Sequence, residues 1–150
     1  MVYNEIGVVY YKQNNFERAQ EYLAKALSLC HDSTNSTTFE TIMFNSANCH
    51  RKLKEMEAAI QAYEKCLTIN PKNSSTLVSL GYTYHLMFDL QKALHFYHKA
   101  HFLNHEDNLI RSLVKKAIDD INDTRLNPIE GTYLAGAETS SPVIQVQDTD

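Results

Sequence analysis

The stretches NSANCHRKLKEMEAAIQAYEKC (45–66) and SLGYTYHLMFDLQKALHFYHKA (79–100) decide the fold, because the second repeats the pattern of the first after 34 residues. Each stretch has a small residue near its start, Ala47 or Gly81. A second small residue follows 12 positions later, an aromatic residue 16 positions later and a third small residue 19 positions later. A period of this length predicts stacked helical hairpins.

A third copy of the pattern begins at Gly7, with Ala19, Leu23 and Ala26 at the same three distances. The offset from Gly7 to Ala47 is 40 residues, six more than the period that separates the other two copies. We expect the six extra residues to lie in a loop within the polar stretch 32–38, because insertions in repeat arrays fall in loops.

Small residues at fixed spacing indicate that two antiparallel helices cross closely in each unit, since only compact side chains let the backbones approach. We predict the following helix-crossing positions: Gly7, Ala19, Ala26, Ala47, Ala59, Cys66, Gly81, Ala93 and Ala100. A 34-residue unit of this kind resembles the tetratricopeptide repeat, a helix-turn-helix whose apolar face is covered by its neighbour. The resemblance implies an all-α helical-hairpin solenoid, coiled as a right-handed superhelix.

The predicted domain, 1–123, contains three hairpins at about 1–33, 40–73 and 74–107 and a capping helix at about 108–122. Short turns are expected at 14–15, 54–55 and 88–89, and Phe88 replaces the glycine usual in the family, which predicts a looser third turn. Asn73 or Ser74 is expected to cap the helix that follows Pro71. The short lead-in before Gly7 suggests a fragment of a longer array.

The capping helix is predicted from apolar residues spaced three and four apart. They are Leu109, Ile110, Leu113, Val114, Ala117, Ile118 and Ile121. Its outer face is expected to carry the charged residues Arg111, Lys115, Lys116, Asp119 and Asp120. Residues 124–150 are predicted to be a flexible acidic tail, in which Ser141 before Pro142 is a candidate phosphorylation site.

Composition narrows the function classes. The 150 residues are 43% hydrophobic and 21% charged, as in an ordinary globular domain, with a formal net charge of −4. This charge argues against nucleic acid as a ligand, and no apolar run is long enough for a membrane span. Three cysteines without a C-x-x-C pair favour reduced thiols. We therefore expect a nuclear and cytoplasmic protein.

Side chains that the repeat template directs into the concave groove are the candidate binding residues. They are Asn4, Val8, Tyr11, Phe44, Asn45, Asn48, Arg51, Ser75, Ser79, Tyr82 and His85. Amide groups can bond to the backbone of a ligand peptide, and aromatic rings offer rigid contact area. The alternative role for some of these asparagines is to cap or solvate helices, and Asn45 and Asn48 are the preferred ligand-binding pair.

Catalytic and cofactor motifs are not recognisable, so we predict no enzyme activity, no cofactor and no metal. Four histidines, His95, His98, His101 and His105, lie three or four residues apart on one predicted helix and its end. A metal-dependent enzyme that uses this row is the alternative from another class. Because neither paired cysteines nor an H-E-x-x-H motif accompanies the row, surface histidines are favoured.

Longer stretches narrow the resemblance. CHRKLK (49–54), Ser75-Thr76 and GYTYHLM (81–87) resemble the cell-division-cycle-sixteen type subunit of the anaphase-promoting complex, in the carboxyl-terminal part of its repeat array. This implies a scaffold in a ubiquitin ligase that acts in cell division. The implied partners are a small accessory subunit and neighbouring repeat subunits, with a homodimer only if upstream repeats are present.

Other readings within the same repeat class stay open. A tetratricopeptide adaptor of an unrelated intracellular assembly would carry the same pattern. Co-chaperones that clamp a terminal carboxylate place basic residues where this chain has Asn4, Ser75 and Ser79, so only the Asn45 position matches that branch. The sequence thus predicts protein binding more firmly than it predicts which protein is bound.

Overall fold

The computed structural model describes residues 2–30 and 36–126 of the chain. These residues form the helices α1 (Val2–Lys12), α2 (Phe16–Leu29), α3 (Ser36–Lys52), α4 (Met56–Ile69), α5 (Ser74–Leu86), α6 (Leu90–Leu103) and α7 (Asn108–Leu126). No strand occurs in these two segments. Successive helices pack as three hairpins, each lying against the next, and α7 packs on α6. The predicted all-α solenoid is confirmed.

Helix crossing within the hairpins leaves no room for larger side chains. A Cβ added at Gly81 would lie 2.8 Å from Cδ1 of Tyr97 and 3.2 Å from the carbonyl oxygen of Ala93. At Gly7 the same atom would lie 2.8 Å from Cγ of Leu23. In the middle hairpin, Ala47 and Ala59 lie at the equivalent crossing, and both are fully buried. The repeat period thus coincides with the period of closest backbone approach.

All three hairpins turn in the same way. A residue with positive φ follows the first helix, at 59° for Asn14, 67° for Lys54 and 60° for Phe88. The next amide then donates to a carbonyl five residues back at 3.0, 2.9 and 3.0 Å, respectively. The predicted looser turn at Phe88 is therefore wrong. The backbone bonds fix the turn, and the Phe88 side chain is 82% exposed, where its bulk meets no obstacle.

The predicted loop between the first two hairpins is partly helical. Helix α3 begins at Ser36 and has 17 residues, whereas α5 has 13. The loop prediction was therefore wrong for residues 36–38, and 31–35 lie outside the described residues. Inside the helix the Thr41 hydroxyl donates to the carbonyl oxygen of Thr37 at 2.9 Å. Part of the insertion therefore lengthens α3.

Helix α7 is longer than predicted, and it buries fewer of its apolar residues than the sequence indicated. It extends to Leu126, so the tail prediction is wrong for 124–126, while the rest of the tail, with Ser141, lies outside the described residues. Ile110 and Ala117 are buried, but Leu109 and Ile118 are 61% and 41% exposed. Asp120, expected on the outer face, instead lies beside His85 of α5 and is about one-third exposed. The buried stripe is narrower than the sequence suggested because α7 contacts one helix of the last hairpin extensively.

Helix starts are fixed by local side chains. Asn73 accepts from the Thr76 amide at 3.0 Å, which confirms it as the cap of α5, and Asn15 and Asp89 cap α2 and α6 in the same way.

No helix among the described residues is long and apolar enough to cross a bilayer.

Candidate functional site

The first helices of the three hairpins lie side by side, because α3 contacts both α1 and α5. We call the surface that α1, α3 and α5 form the inner face. Two contacts join its helices. The Asn45 amide donates to Oδ1 of Asn4 at 3.0 Å, and the Arg51 guanidinium lies over the Tyr82 ring, 5.3 Å from its centroid. Residues from all three repeats therefore meet on one surface.

A hydrogen-bonded cluster occupies the middle of the inner face. The buried Tyr63 hydroxyl donates to Oδ1 of Asn48 at 2.7 Å, and Nη2 of Arg51 donates to the same oxygen at 3.3 Å. Nε of Arg51 also donates to the Tyr63 hydroxyl at 3.3 Å. Burial raises the pKa of Tyr63, so its proton remains available for this bond. The cluster holds the Asn48 amide and the Arg51 guanidinium in one orientation.

Asn48 is left with donors to spare. Its Oδ1 accepts two bonds, while no hydrogen bond from its amide nitrogen forms within the described residues. Arg51 likewise forms no ion pair with a carboxylate in this part of the chain, although its side chain is half-buried. A guanidinium carries five N–H donors, and two are used here. The inner face therefore presents oriented, unused donors next to the Tyr82 ring.

Other predicted groove residues take part in packing. Tyr11 contacts Phe16 edge-on at 5.3 Å between centroids, and Phe44 contacts Tyr63 at 5.9 Å. Val8 and Ser79 are half-buried, and Ser75 is exposed. His85 Nε2 lies 2.7 Å from Oδ2 of Asp120 on α7. The structure thus brings the residues of repeats one to three onto neighbouring helices, and their role in binding stays a prediction.

Sequence reasoning missed a second concave region. A pocket of about 480 Å³ lies between the end of α5, the third turn and α7. We call it the terminal pocket; its apolar residues include Tyr82, Leu86, Phe88 and Leu113, and its charged residues include Asp120 and Asp123. The available signal was Phe88, a bulky apolar residue where the other turns have Asn14 and Lys54. An L residue with positive φ costs about 1 kcal/mol relative to glycine.

The histidine row does not converge. His95 and His98 line a pocket of about 530 Å³ between α4, α5 and α6, together with Phe102 and Lys99. His101 is half-buried and His105 is exposed beyond the end of α6. Within residues 2–30 and 36–126, no three potential metal ligands come together. The four side chains are separate from one another, which gives the metal-enzyme alternative no geometric support.

The buried thiols have the character of core residues. Cys49 and Cys66 are fully buried. Burial raises the pKa of Cys49 to about 11 and that of Cys66 to about 12. Since the thiolate is the nucleophile, neither group is reactive near neutral pH. Both act as small apolar side chains between helices.

Residues 1–72 match a family model described as tetratricopeptide repeat. Within residues 1–72 the chain carries tetratricopeptide repeats. Over 120 residues it is 39% identical to the anaphase-promoting complex subunit CDC16 of Saccharomyces cerevisiae. That alignment covers 79% of this chain and 14% of the yeast protein, so the chain spans about a seventh of the length of this relative. The predicted resemblance to subunits of the cell-division-cycle-sixteen type is confirmed.

Solved structures agree with the fold. The APC/C hetero-tetramer Cut9-Hcn1 superposes with a TM-score of 0.74 at 22% identity, over 77% of this chain and 22% of the other. The first tetratricopeptide domain of Spaghetti (RPAP3), bound to the HSP90 peptide SRMEEVD, gives 0.71 at 18% identity, over 81% and 91% of the two chains. At these identities the likeness establishes the helical-repeat fold alone.

Proposed function

We propose that the chain is a scaffold segment that binds a partner peptide on its inner face, as part of an anaphase-promoting complex in cell division. The observation that carries the peptide-binding proposal is the Asn48, Tyr63 and Arg51 cluster. It holds amide and guanidinium donors in fixed orientation beside the Tyr82 ring. Oriented donors beside a rigid aromatic surface suit the carbonyl groups of a peptide backbone.

Placement in the complex is supported by the 39% identity to the yeast subunit. The proposed partners are a small accessory subunit, whose segment lies on the inner face, and neighbouring repeat subunits. The proposal also implies nuclear and cytoplasmic location and a scaffold role, with ubiquitin transfer carried out by other subunits. Residues 81–87 contribute to both the resemblance and the inner face, so the same stretch supports both parts of the proposal.

Peptide binding is tested by selecting from a displayed library of random dodecapeptides on the intact chain. Asn48→Asp keeps the oxygen that accepts from Tyr63 and Arg51 and removes the two amide donors. Tyr82→Ala removes the ring under the guanidinium. We expect each change to weaken the selected peptides about tenfold, as measured by fluorescence anisotropy, because each removes one central contact.

Phe102→Ala is the matched control, since Phe102 is 86% exposed and lines the pocket beside the histidine row, away from the inner face. It should leave peptide affinity unchanged. Equal affinity of wild type, Asn48→Asp and Tyr82→Ala would remove the inner face as the binding site.

Assembly into the complex is tested separately. The 120-residue stretch of the yeast subunit that aligns with this chain is replaced by the matching residues of this chain. Co-purification of the remaining yeast subunits with the hybrid supports the assignment. A hybrid that is folded and expressed but isolated alone would favour an adaptor of another assembly.

A further inference from the structure

The terminal pocket adjoins the inner face at Tyr82. This ring lies under the Arg51 guanidinium on one side and lines the terminal pocket together with Leu86, Phe88 and Leu113. A ligand that contacts Tyr82 from the inner face is therefore at the entrance of the pocket. At about 480 Å³ the pocket has the size of small-molecule sites and is large enough for one bulky side chain.

Phe88 is an unusual residue for this turn, because its backbone has a positive φ and its apolar side chain is exposed. Its φ is 60°, in the region that favours glycine or asparagine, and its side chain is 82% exposed. Asn14 holds the same position in the first turn and Lys54 in the second. At position 88 an asparagine or a lysine side chain would be better solvated than phenylalanine. Asparagine would also tolerate the positive φ with less backbone strain. Packing does not explain the phenylalanine, and backbone strain at an exposed apolar residue is typical of a binding surface.

Charge around the pocket narrows the chemistry of the occupant. Asp120 is shared between His85 and Lys116, and Asp123 supplies a second carboxylate at the rim. The hydrogen bond from His85 lowers the pKa of Asp120, which keeps that carboxylate ionised. Because Asp120 is already paired with His85 and Lys116, Asp123 is the carboxylate at the rim that attracts a basic group. The apolar interior therefore suits an apolar side chain, and the acidic rim suits a basic side chain of the same ligand segment.

We infer that the terminal pocket binds a bulky apolar side chain of the same partner peptide, with a basic residue of that peptide beside it at Asp123. The inference rests on the proposed function, because the peptide reaches the pocket from the inner face across Tyr82. It defines the partner segment as one with a leucine, methionine or aromatic residue next to lysine or arginine.

The test uses the same dodecapeptide library on the intact chain and on Phe88→Asn. Wild type should enrich a bulky apolar residue adjacent to a basic one, and Phe88→Asn should bind those peptides about tenfold more weakly. Its melting temperature should rise by about 3 °C, because asparagine tolerates positive φ better than phenylalanine. Weaker binding by a more stable protein separates a contact from a structural defect.

Lys54→Asn is the matched control, since it introduces asparagine at the equivalent position of the second turn. It should also raise the melting temperature while leaving affinity unchanged. Peptides that depend on Asn48 and Tyr82 but bind Phe88→Asn as tightly as wild type would overturn the pocket and leave the inner face intact. A library that yields no inner-face peptide at all would overturn both proposals.

The chain itself is the competing occupant, because α7 continues beyond Thr124, which lines the pocket. Methyl NMR spectra of Leu86 and Leu113 are compared between wild type and Tyr133→Ser/Leu134→Ser, without peptide. Unchanged spectra support an open pocket. Shifts at both leucines would show that the chain fills its own pocket and would overturn the inference.

Discussion

The two ends of the array present equivalent helix positions to different surroundings. Counted by the repeat offsets of 40 and 34, one position is occupied by Val9, Cys49, Thr83 and Ala117. Val9 is 52% exposed, whereas the other three are fully buried. A second position shows the same contrast, since Val2 is 65% exposed and Ile42, Thr76 and Ile110 are at most 3% exposed. A preceding helix covers α3, α5 and α7, but no described helix covers α1.

At the carboxyl-terminal end of the array, α7 has a charged residue where the preceding hairpins have small ones. Lys115 is at the α7 position that corresponds to Gly7, Ala47 and Gly81, and it is exposed. A lysine there prevents the close crossing that a further hairpin helix would need. The amino-terminal side therefore keeps the apolar chemistry of an internal interface, while the carboxyl-terminal side has the polar chemistry of a cap. Equivalent positions can thus be buried or exposed, depending on the residue present and on the helices around it.

The largest expected effect separates Ala117 from Val9. Ala117→Lys places a charge in the fully buried contact between α6 and α7, and we expect a loss of about 3 kcal/mol or more in the free energy of unfolding. Val9→Lys should change it by less than about 0.5 kcal/mol, because the position already meets water. Urea unfolding followed by circular dichroism measures both. A large loss for Val9→Lys would mean that another molecule covers α1 in solution, which sedimentation would detect.

A smaller effect separates the crossing positions. Gly81→Ala should lower the free energy of unfolding by about 1–2 kcal/mol, because the new methyl group meets the buried Tyr97 ring and its clash outweighs the gain in helix propensity. Lys115→Ala, the same residue type at the equivalent position of α7, should be neutral or slightly stabilising. Thermal unfolding compares the two. A neutral Gly81→Ala would show that the last hairpin can widen without cost.

The smallest effect concerns the contact between α5 and α7 at the carboxyl-terminal side. The bond to His85 lowers the pKa of Asp120, so this carboxylate stabilises the fold above its ordinary pKa of about 3.8 and loses that contribution as the pH falls and it is protonated. Asp120→Asn should therefore lower the melting temperature slightly at neutral pH, and the difference should shrink as the pH falls below about 3.8. A difference that stays constant below that pH would assign the effect to packing.

The repeat period predicted the fold and the helix crossings from sequence alone. Crossing positions recur because each requires a small side chain, and asparagine caps such as Asn73 act on neighbouring residues. Helix limits were less predictable where local preferences were weak. Ser36 and Thr124 belong to helices although their surroundings read as loop and tail. Within α7 the Thr124 hydroxyl donates back to the carbonyl oxygen of Ile121 at 2.8 Å.

The candidate site also has features that the sequence predicted and features that it did not. Repeat equivalence brought Asn48, Arg51 and Tyr82 forward as surface candidates. Their sharing of one cluster with the buried Tyr63 was not predictable, since the partner comes from another helix of the hairpin. The terminal pocket was missed because Phe88 and Asp123 are far apart in sequence and meet only when α7 lies against the last hairpin.

Sequence by itself determined the helical hairpins, their order and the small residues at which they cross, because these depend on a period and on side-chain volume. Tertiary structure alone decided which copies of an equivalent position are buried, which donors of the inner face remain unused and where a pocket opens. Burial and hydrogen-bond pairing depend on the neighbouring helix, and a repeat pattern marks equivalent positions whether or not that neighbour is present.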